Sequence, residues 1–462
     1  MSDYYPYAER FPILHGMPEH GRSHDEILTE LRAMAAEENG HWENGRCSGS
    51  MYCGDHDHYA FLTEAFGMFA HANALQRDIV PSATRFEGEI IAMTLDMLHG
   101  EAITETTPGG LITSGGSGSI AHAMLAYREQ ARAERGHRRF NVIKPETAHP
   151  AFDKACHLFD IELRRAPIDP DTTLVDVGAV AELIDEDTIA LIGSACNYGY
   201  GTVDPIGQLS DLALERNVGL HVDGCLGGFI LPWGQELGYP IPTFDFRHPG
   251  VTTISADTHK YGYSFKGSSV VLFRDVTMRN SQYFYLTDWT GGKYCSPSMD
   301  GSRSVGLLAA TWASLVSIGR QGYLDYARKI FSTADAMQEA VRSHGDLRIL
   351  GDPTFCFSFT SDDFDIYLIN DRMRLNGWRF NGQQYPNAIH MAVTRPQTQP
   401  GVAEQFAVDL NEAVSWAREH ADEPAASSAV YGGVAGGMND EADDFIKMVM
   451  ADMMDHQLGV PE

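Results

Sequence analysis

Between residues 110 and 275 short apolar runs alternate with helical stretches, and that alternation limits the possible folds more than any other feature. The runs are GLITSG, RFNVIKP, DTIALIGSA, VGLHVDG, VTTISAD and SSVVLFRD; helical stretches such as IAHAMLAYREQARAERG and IGQLSDLALERN fall among them. The order predicts an α/β domain with a mostly parallel sheet, whose sites lie at the carboxyl ends of its strands. The most distinctive polar residues each follow one of those runs.

On either side the pattern changes. Residues 27–36 (ILTELRAMAA) and 84–99 (TRFEGEIIAMTLDMLH) have apolar positions three and four apart and read as helix. A long helical stretch follows Gly301. Residues 347–395 return to strand-like segments (LRILGDP, FCFSFTS, AIHMAVT) around the helix FDIYLINDRMRLNG, which predicts a smaller α+β domain. Residues 424–437 (PAASSAVYGGVAGG) read as loop. The segment EADDFIKMVMADMMDH reads as a final amphipathic helix with its methionines as a packing face.

Composition excludes some classes of function. A net charge of −29 over 462 residues would repel nucleic-acid phosphates from most of the surface, although a locally basic pocket could still bind a phosphorylated small molecule. No apolar run reaches membrane-spanning length, and the opening MSDYYPYAERFPILHG lacks a signal-peptide layout. The seven cysteines never form a CxxC pair, which predicts free thiols. A soluble, cytoplasmic protein is the expectation.

The segment SADTHKYG sets Lys260 between an imidazole and an aromatic ring, directly after VTTI. Desolvation there would lower the lysine's pKa and supply a neutral amine for a Schiff base with an aldehyde. The alternative is an ion-paired lysine. Asp223, at the end of VGLHVDG, needs a partner if buried, and a protonated pyridine nitrogen would serve. The turn TSGGSGS opens a helix whose free N–H groups could bind phosphate; it is not the nucleotide motif GxxxxGK[ST].

A phosphate turn at 115–119, then Asp223, then His259 and Lys260, resembles the pyridoxal-phosphate enzymes of the aspartate-aminotransferase fold (fold type I), in their group II decarboxylase branch. Within that branch SADTHKYGYSFKGSSVVLF, KPETAHPAFDKACH, HVDGCLGGFILPW, DWTGGKYCSPSMDGSR, RCSGSMYCGDHDHYAFL and AVYGGVAGG resemble the sphingosine-1-phosphate lyases, over nearly the whole chain from residue 22. The resemblance implies a large domain with a mostly parallel seven-stranded sheet and a small C-terminal α+β domain. It also implies pyridoxal 5'-phosphate as cofactor and a homodimer with sites at the subunit interface. The expected division is an N-terminal segment (1–85) serving the dimer and substrate entrance, a cofactor domain (86–300), a helical connection (301–345) and a small domain with its tail (346–462).

Carried over residue by residue, Lys260 resembles the Schiff-base lysine, His259 a cofactor-phosphate ligand, and Asp223 the partner of the pyridine nitrogen. His149 resembles the imidazole stacked on the ring. Gly116 and Ser117 would hold the cofactor phosphate, and Ser302 would reach it from the neighbouring subunit. Tyr52 and Lys266 match the pair that binds the substrate's phosphate, Asn73 belongs to the substrate-binding set, and Tyr198 matches a tyrosine near the reacting carbons. Plainer readings stand beside these: His149 could cap the following helix, and Lys266 could be a solvated loop lysine. The run Asp55, His56, Asp57, His58 could suggest a metal, but adjacent side chains point apart and nothing completes a ligand set, so no metal is expected.

Two motifs depart from the family pattern. Gln76 and Arg77 replace a histidine and a proline of N-P-L-H-P-D, and Gly118 replaces the glutamate of SGGTES. The implied reaction is a retro-aldol cleavage of a phosphorylated 2-amino alcohol to an aldehyde and phosphoethanolamine. The alternatives are a group II amino-acid decarboxylase, for which Arg77 could meet a carboxylate, and a non-catalytic scaffold.

Overall fold

The computed structural model of the chain describes residues 5–434 and 438–459. Three helices come first: α1 (His24–Asn39), α2 (His56–Met68) and α3 (Ser82–Met97). The alternating region follows as β1 (Gly109–Thr113), α4 (Gly116–Arg135), β2 (Asn141–Pro145), α5 (Ala151–Phe159), β3 (Glu162–Ala166), α6 (Val177–Leu183), β4 (Thr188–Ser194) and α7 (Ile206–Arg216). It continues with β5 (Gly219–Gly224), α8 (Leu231–Glu236), β6 (Thr253–Ala256), β7 (Ser269–Phe273) and α9 (Val276–Ser281).

The seven strands form one sheet in the order β1-β7-β6-β5-β4-β2-β3. Only β7 runs antiparallel to its neighbours. Every residue of β1, β2, β4, β6 and β7 is buried, because helices cover both faces, and so these strands read as unbroken apolar runs. Strand β3 carries no apolar run in the sequence and is not among the expected strands. ELRRA lies at the sheet edge, paired only with β2, and Arg164 bonds to Glu162 and Asp185 at 2.8 and 2.7 Å instead of entering the core.

Beyond the sheet stand an exposed hairpin, β8 (Phe284–Trp289) and β9 (Gly292–Ser296), and the long helix α10 (Val305–Arg342), which changes direction at Gly319. A second, antiparallel sheet holds β10 (Arg348–Ile349), β11 (Cys356–Thr360), β12 (Asn381–Gln383) and β13 (Ala388–Ala392) in the order β10-β11-β13-β12. Helices α11 (Tyr367–Leu375), α12 (Val402–Glu419), α13 (Ser428–Tyr431) and α14 (Asp440–Leu458) complete the described chain. Helix α13 interrupts the expected loop, and residues 435–437 of that loop lie outside the described residues.

The expected methionine packing face is not packed. No residue of α14 is buried, and Phe445, Met448, Met450 and Met453 are all more than half exposed. All seven cysteines are free thiols. No described helix is long and apolar enough to cross a membrane.

Candidate active site

One cavity of about 330 Å³ opens at the carboxyl end of the parallel strands. It gathers Lys260, Asp223, His149, Tyr198, Gly116, Ser117, His259 and Tyr52 from segments that lie far apart in sequence. The topology accounts for this: each turn that leaves β1, β2, β4, β5 or β6 emerges on the same side of the sheet.

Lys260 lies in the turn after β6, in a bend that admits only glycine at 262. A Cβ there would lie 2.5 Å from the Thr258 carbonyl oxygen. The Lys260 ammonium is 3.0 Å from Asp257 Oδ2. Burial alone would push the amine's pKa down, but the Asp257 carboxylate, followed by Tyr52 and Cys225, overrides it, and the net direction is up. The lysine is therefore a held ammonium, not the neutral amine that desolvation alone predicts. Asp257, within the very segment that drew attention to Lys260, was not singled out in sequence. Its buried carboxylate also accepts from Ser269 Oγ at 2.6 Å and lies 3.7 Å from His259 Nε2.

Asp223 ends β5 and is buried. Cys225 N–H and Ser255 Oγ donate to its Oδ1 at 3.0 and 3.2 Å, so Oδ2 is the atom left for a ligand among the described residues. Behind it, the Ser255 hydroxyl lies 3.3 Å from His221 Nε2, and His221 Nδ1 lies 2.8 Å from Thr253 Oγ1. Burial depresses His221 to about 4, so this fully buried imidazole is neutral.

His149 does two things at once. Its Nδ1 accepts from the Ala151 N–H at 3.1 Å, capping α5, and its ring lines the cavity. Burial lowers its pKa, which leaves a neutral ring suited to stacking on another ring. Helix α4 begins at Gly116, where a Cβ would lie 2.7 Å from Asp257 Oδ2 and 3.0 Å from Cys225 Sγ. Only glycine fits, and the bare helix start faces the cavity. His259 Nδ1 donates to the Ser268 carbonyl at 2.5 Å, which turns Nε2 inward.

The remaining residues are arranged differently. Lys266 lies over the Tyr52 ring, Nζ 4.6 Å from its centroid, and donates to the Ser50 carbonyl at 3.1 Å. Burial and the nearby Lys260 lower its pKa. Asn73 and Ser302 meet each other at 2.9 Å but line no part of the cavity. Arg77 is committed to Glu87, a buried carboxylate also held by Arg303 at 2.8 and 3.1 Å. Three residues of the Asp55–His58 run are likewise engaged. Asp55 caps α2 and pairs with Arg395 at 2.9 Å, His56 meets Glu43 at 2.6 Å, and His58 lies 3.2 Å from Ser314 Oγ.

Comparison with known proteins identifies the family. Residues 9–359 match the pyridoxal-dependent decarboxylase conserved domain. The chain is 39% identical to a sphingosine-1-phosphate lyase of Dictyostelium discoideum, over 87% of this chain and 75% of that protein. It is 38% identical to one of Drosophila melanogaster, over 90% and 76%. The solved structure of a Burkholderia pseudomallei sphingosine-1-phosphate lyase superposes with a TM-score of 0.89 at 60% identity, covering 91% of this chain and 96% of that one. A glutamate decarboxylase of Lactobacillus brevis, 21% identical with a TM-score of 0.75, shares the fold. The chain therefore belongs to the sphingosine-1-phosphate lyase family of pyridoxal-dependent enzymes.

Proposed function

We propose that this enzyme cleaves the C2–C3 bond of a phosphorylated 2-amino alcohol of the sphinganine or sphingosine 1-phosphate kind, releasing a long-chain aldehyde and phosphoethanolamine. The observation that carries the reading is one cavity holding Lys260 and Asp223, with Tyr52 on its wall under the Lys266 ammonium.

The residues fit pyridoxal phosphate: an amine for its aldehyde, a carboxylate oxygen left open for its pyridine nitrogen, and a helix start cleared by Gly116 for its phosphate. When bound, that cofactor supplies an electron sink for the bond that breaks. Lys260 would hold the aldehyde carbon, and Asp223 would keep the pyridine nitrogen protonated. Gly116, Ser117 and His259 would take the phosphate, with His149 against the ring. Lys266 and Tyr52 would bind the substrate's own phosphate, offsetting the negative field of the whole chain.

In the cleavage a base takes the proton of the C3 hydroxyl as its oxygen becomes the aldehyde carbonyl, and an acid delivers a proton to C2, so that the two transfers balance. Burial raises the Tyr198 hydroxyl's pKa, so Tyr198 is a hydrogen-bond donor that orients the reacting carbons. Lys260, an ammonium beside Asp257 when it is not joined to the cofactor, would return the proton to C2. Arg77, engaged with Glu87, is not free to meet a substrate carboxylate, which disfavours the decarboxylase reading.

A second copy of the chain belongs in this proposal. Ser302 is exposed and outside its own chain's cavity, and the neighbouring hairpin exposes Phe284, Tyr285 and Trp289. These support a homodimer in which Ser302 of one copy reaches the cofactor phosphate of the other. The test is to incubate the cofactor-loaded enzyme with sphinganine 1-phosphate. Aldehyde and phosphoethanolamine in equal amounts are expected; no aldehyde, with carbon dioxide from a panel of amino acids, would overturn the reading.

A further inference from the structure

The loop after β4, residues 197–201, carries Tyr198 and is gripped from outside the parallel sheet by the four-stranded one. Ser358 Oγ and Gln383 Nε2 both donate to the Gly199 carbonyl. Thr354 donates twice to the Gly201 carbonyl, from its N–H at 3.2 Å and from Oγ1 at 3.0 Å. The His390 ring lies on the Tyr198 ring, with centroids 4.4 Å and planes 30° apart. The approach is so close that a Cβ on Gly201, whose φ is +72°, would lie 1.8 Å from the Cys356 carbonyl oxygen.

Strand register puts the three gripping side chains on one face. Ser358 on β11 pairs with His390 on β13, and Gln383 on β12 pairs with Ala388, two residues before His390. His390 is fully buried, and neither ring nitrogen has a protein hydrogen-bond partner among the described residues. Burial depresses its pKa to about 4, with the Tyr198 carbonyl pulling the other way. A phenylalanine would supply the same stack without burying two unpaired nitrogens, so packing alone does not account for a histidine here. An imidazole N–H beside the Tyr198 carbonyl supplies a donor on this side of the loop, which a phenylalanine could not.

We infer that Ser358, Gln383 and His390 are positioning residues: they hold the 197–201 loop and thereby place Tyr198 against the reacting carbons. The inference rests on the reading of Tyr198 proposed above. By this route the four-stranded sheet contributes to the reaction without touching the substrate.

The test compares Ser358→Ala/Gln383→Leu and His390→Phe with the wild-type holoenzyme. In each, kcat on sphinganine 1-phosphate should fall about tenfold while KM and cofactor affinity stay within about twofold. Backbone amides of residues 197–201 should exchange hydrogen about tenfold faster, and Ser358→Thr, which keeps the hydroxyl, should behave as wild type. Unchanged kcat and unchanged loop exchange would overturn the inference, as would a lowered Tm with no selective loss of kcat. If the double variant does not fold, Gln383→Leu alone should show the same split at about threefold. Tyr198→Phe separates the two layers. Full kcat in that variant removes the role of Tyr198 itself; lost kcat there, with intact positioning variants, overturns only the inference.

Discussion

At the end of the cavity proposed for the cofactor, Gly116, His149 and Lys260 sit on turns that leave strands of the parallel sheet and Asp223 sits in β5 itself, while the end proposed for the substrate is held by other parts of the chain. Tyr52 precedes α2, Tyr198 rides on the turn after β4 that the second sheet holds, and Lys266, outside the cavity lining, lies over the Tyr52 ring. The first set is fixed by the core: Asp223 by Ser255 and Cys225, Gly116 by the carboxylate beneath it, Lys260 by Asp257. The second is fixed by contacts between separate parts of the chain. One fold can thus keep its chemistry while its substrate changes, because the two depend on different constraints.

Breaking the cofactor end should cost most. Lys260→Ala is expected to lower turnover by about 10⁴-fold or more, measured as aldehyde release, and retained turnover would remove the covalent role. Asp223→Asn should lower kcat by roughly 10²–10³-fold with the substrate KM nearly unchanged, because only charge developed during bond cleavage loses its support. Lys266→Met probes the other end. It should raise KM for a phosphorylated substrate by about 10–100-fold and leave an unphosphorylated analogue nearly unaffected. Equal effects on both would place Lys266 outside phosphate binding.

The smallest effect is on pH stability. His221, behind the cofactor end, and His390, behind Tyr198, are fully buried and depressed to about 4. Each folded pKa lies below the unfolded value, so their contribution is present above about pH 6.5 and is lost as pH falls toward 4. Asp204, also buried, is raised to about 6 and acts in the opposite sense. For these three groups the expectation is a loss on the order of 2–3 kcal/mol between pH 7 and pH 5, to which the lowered imidazoles of His58, His122, His149 and His259 add in the same sense, read by urea unfolding. Stability that is flat or rising over that range would contradict the buried, neutral state of both rings.

The same contrast decides what could be read in advance. Strands β1, β2, β4, β5, β6 and β7 announce themselves as apolar runs, and the residues at the carboxyl ends of the five parallel ones are natural site positions. ELRRA does not, because an edge strand has only one neighbour and its arginines face solvent and Asp185. Asp257 was hidden in plain view: its partners Lys260, Ser269 and His259 meet only when β6 and β7 pair. Gln383, Ser358 and His390 carry no local signal, since their role depends on a second sheet closing over a loop some 160–190 residues earlier. Arg77 shows the reverse. A lone new cation suggests a substrate contact, but the fold spends it on Glu87.

The most direct measurement is borohydride reduction of the cofactor-loaded enzyme followed by peptide mapping by mass. The pyridoxyl label should fall on the peptide containing Lys260 and vanish in Lys260→Ala. A label on Lys266 or another lysine, or no label at all, would contradict a cofactor end organised around Lys260 and Asp257.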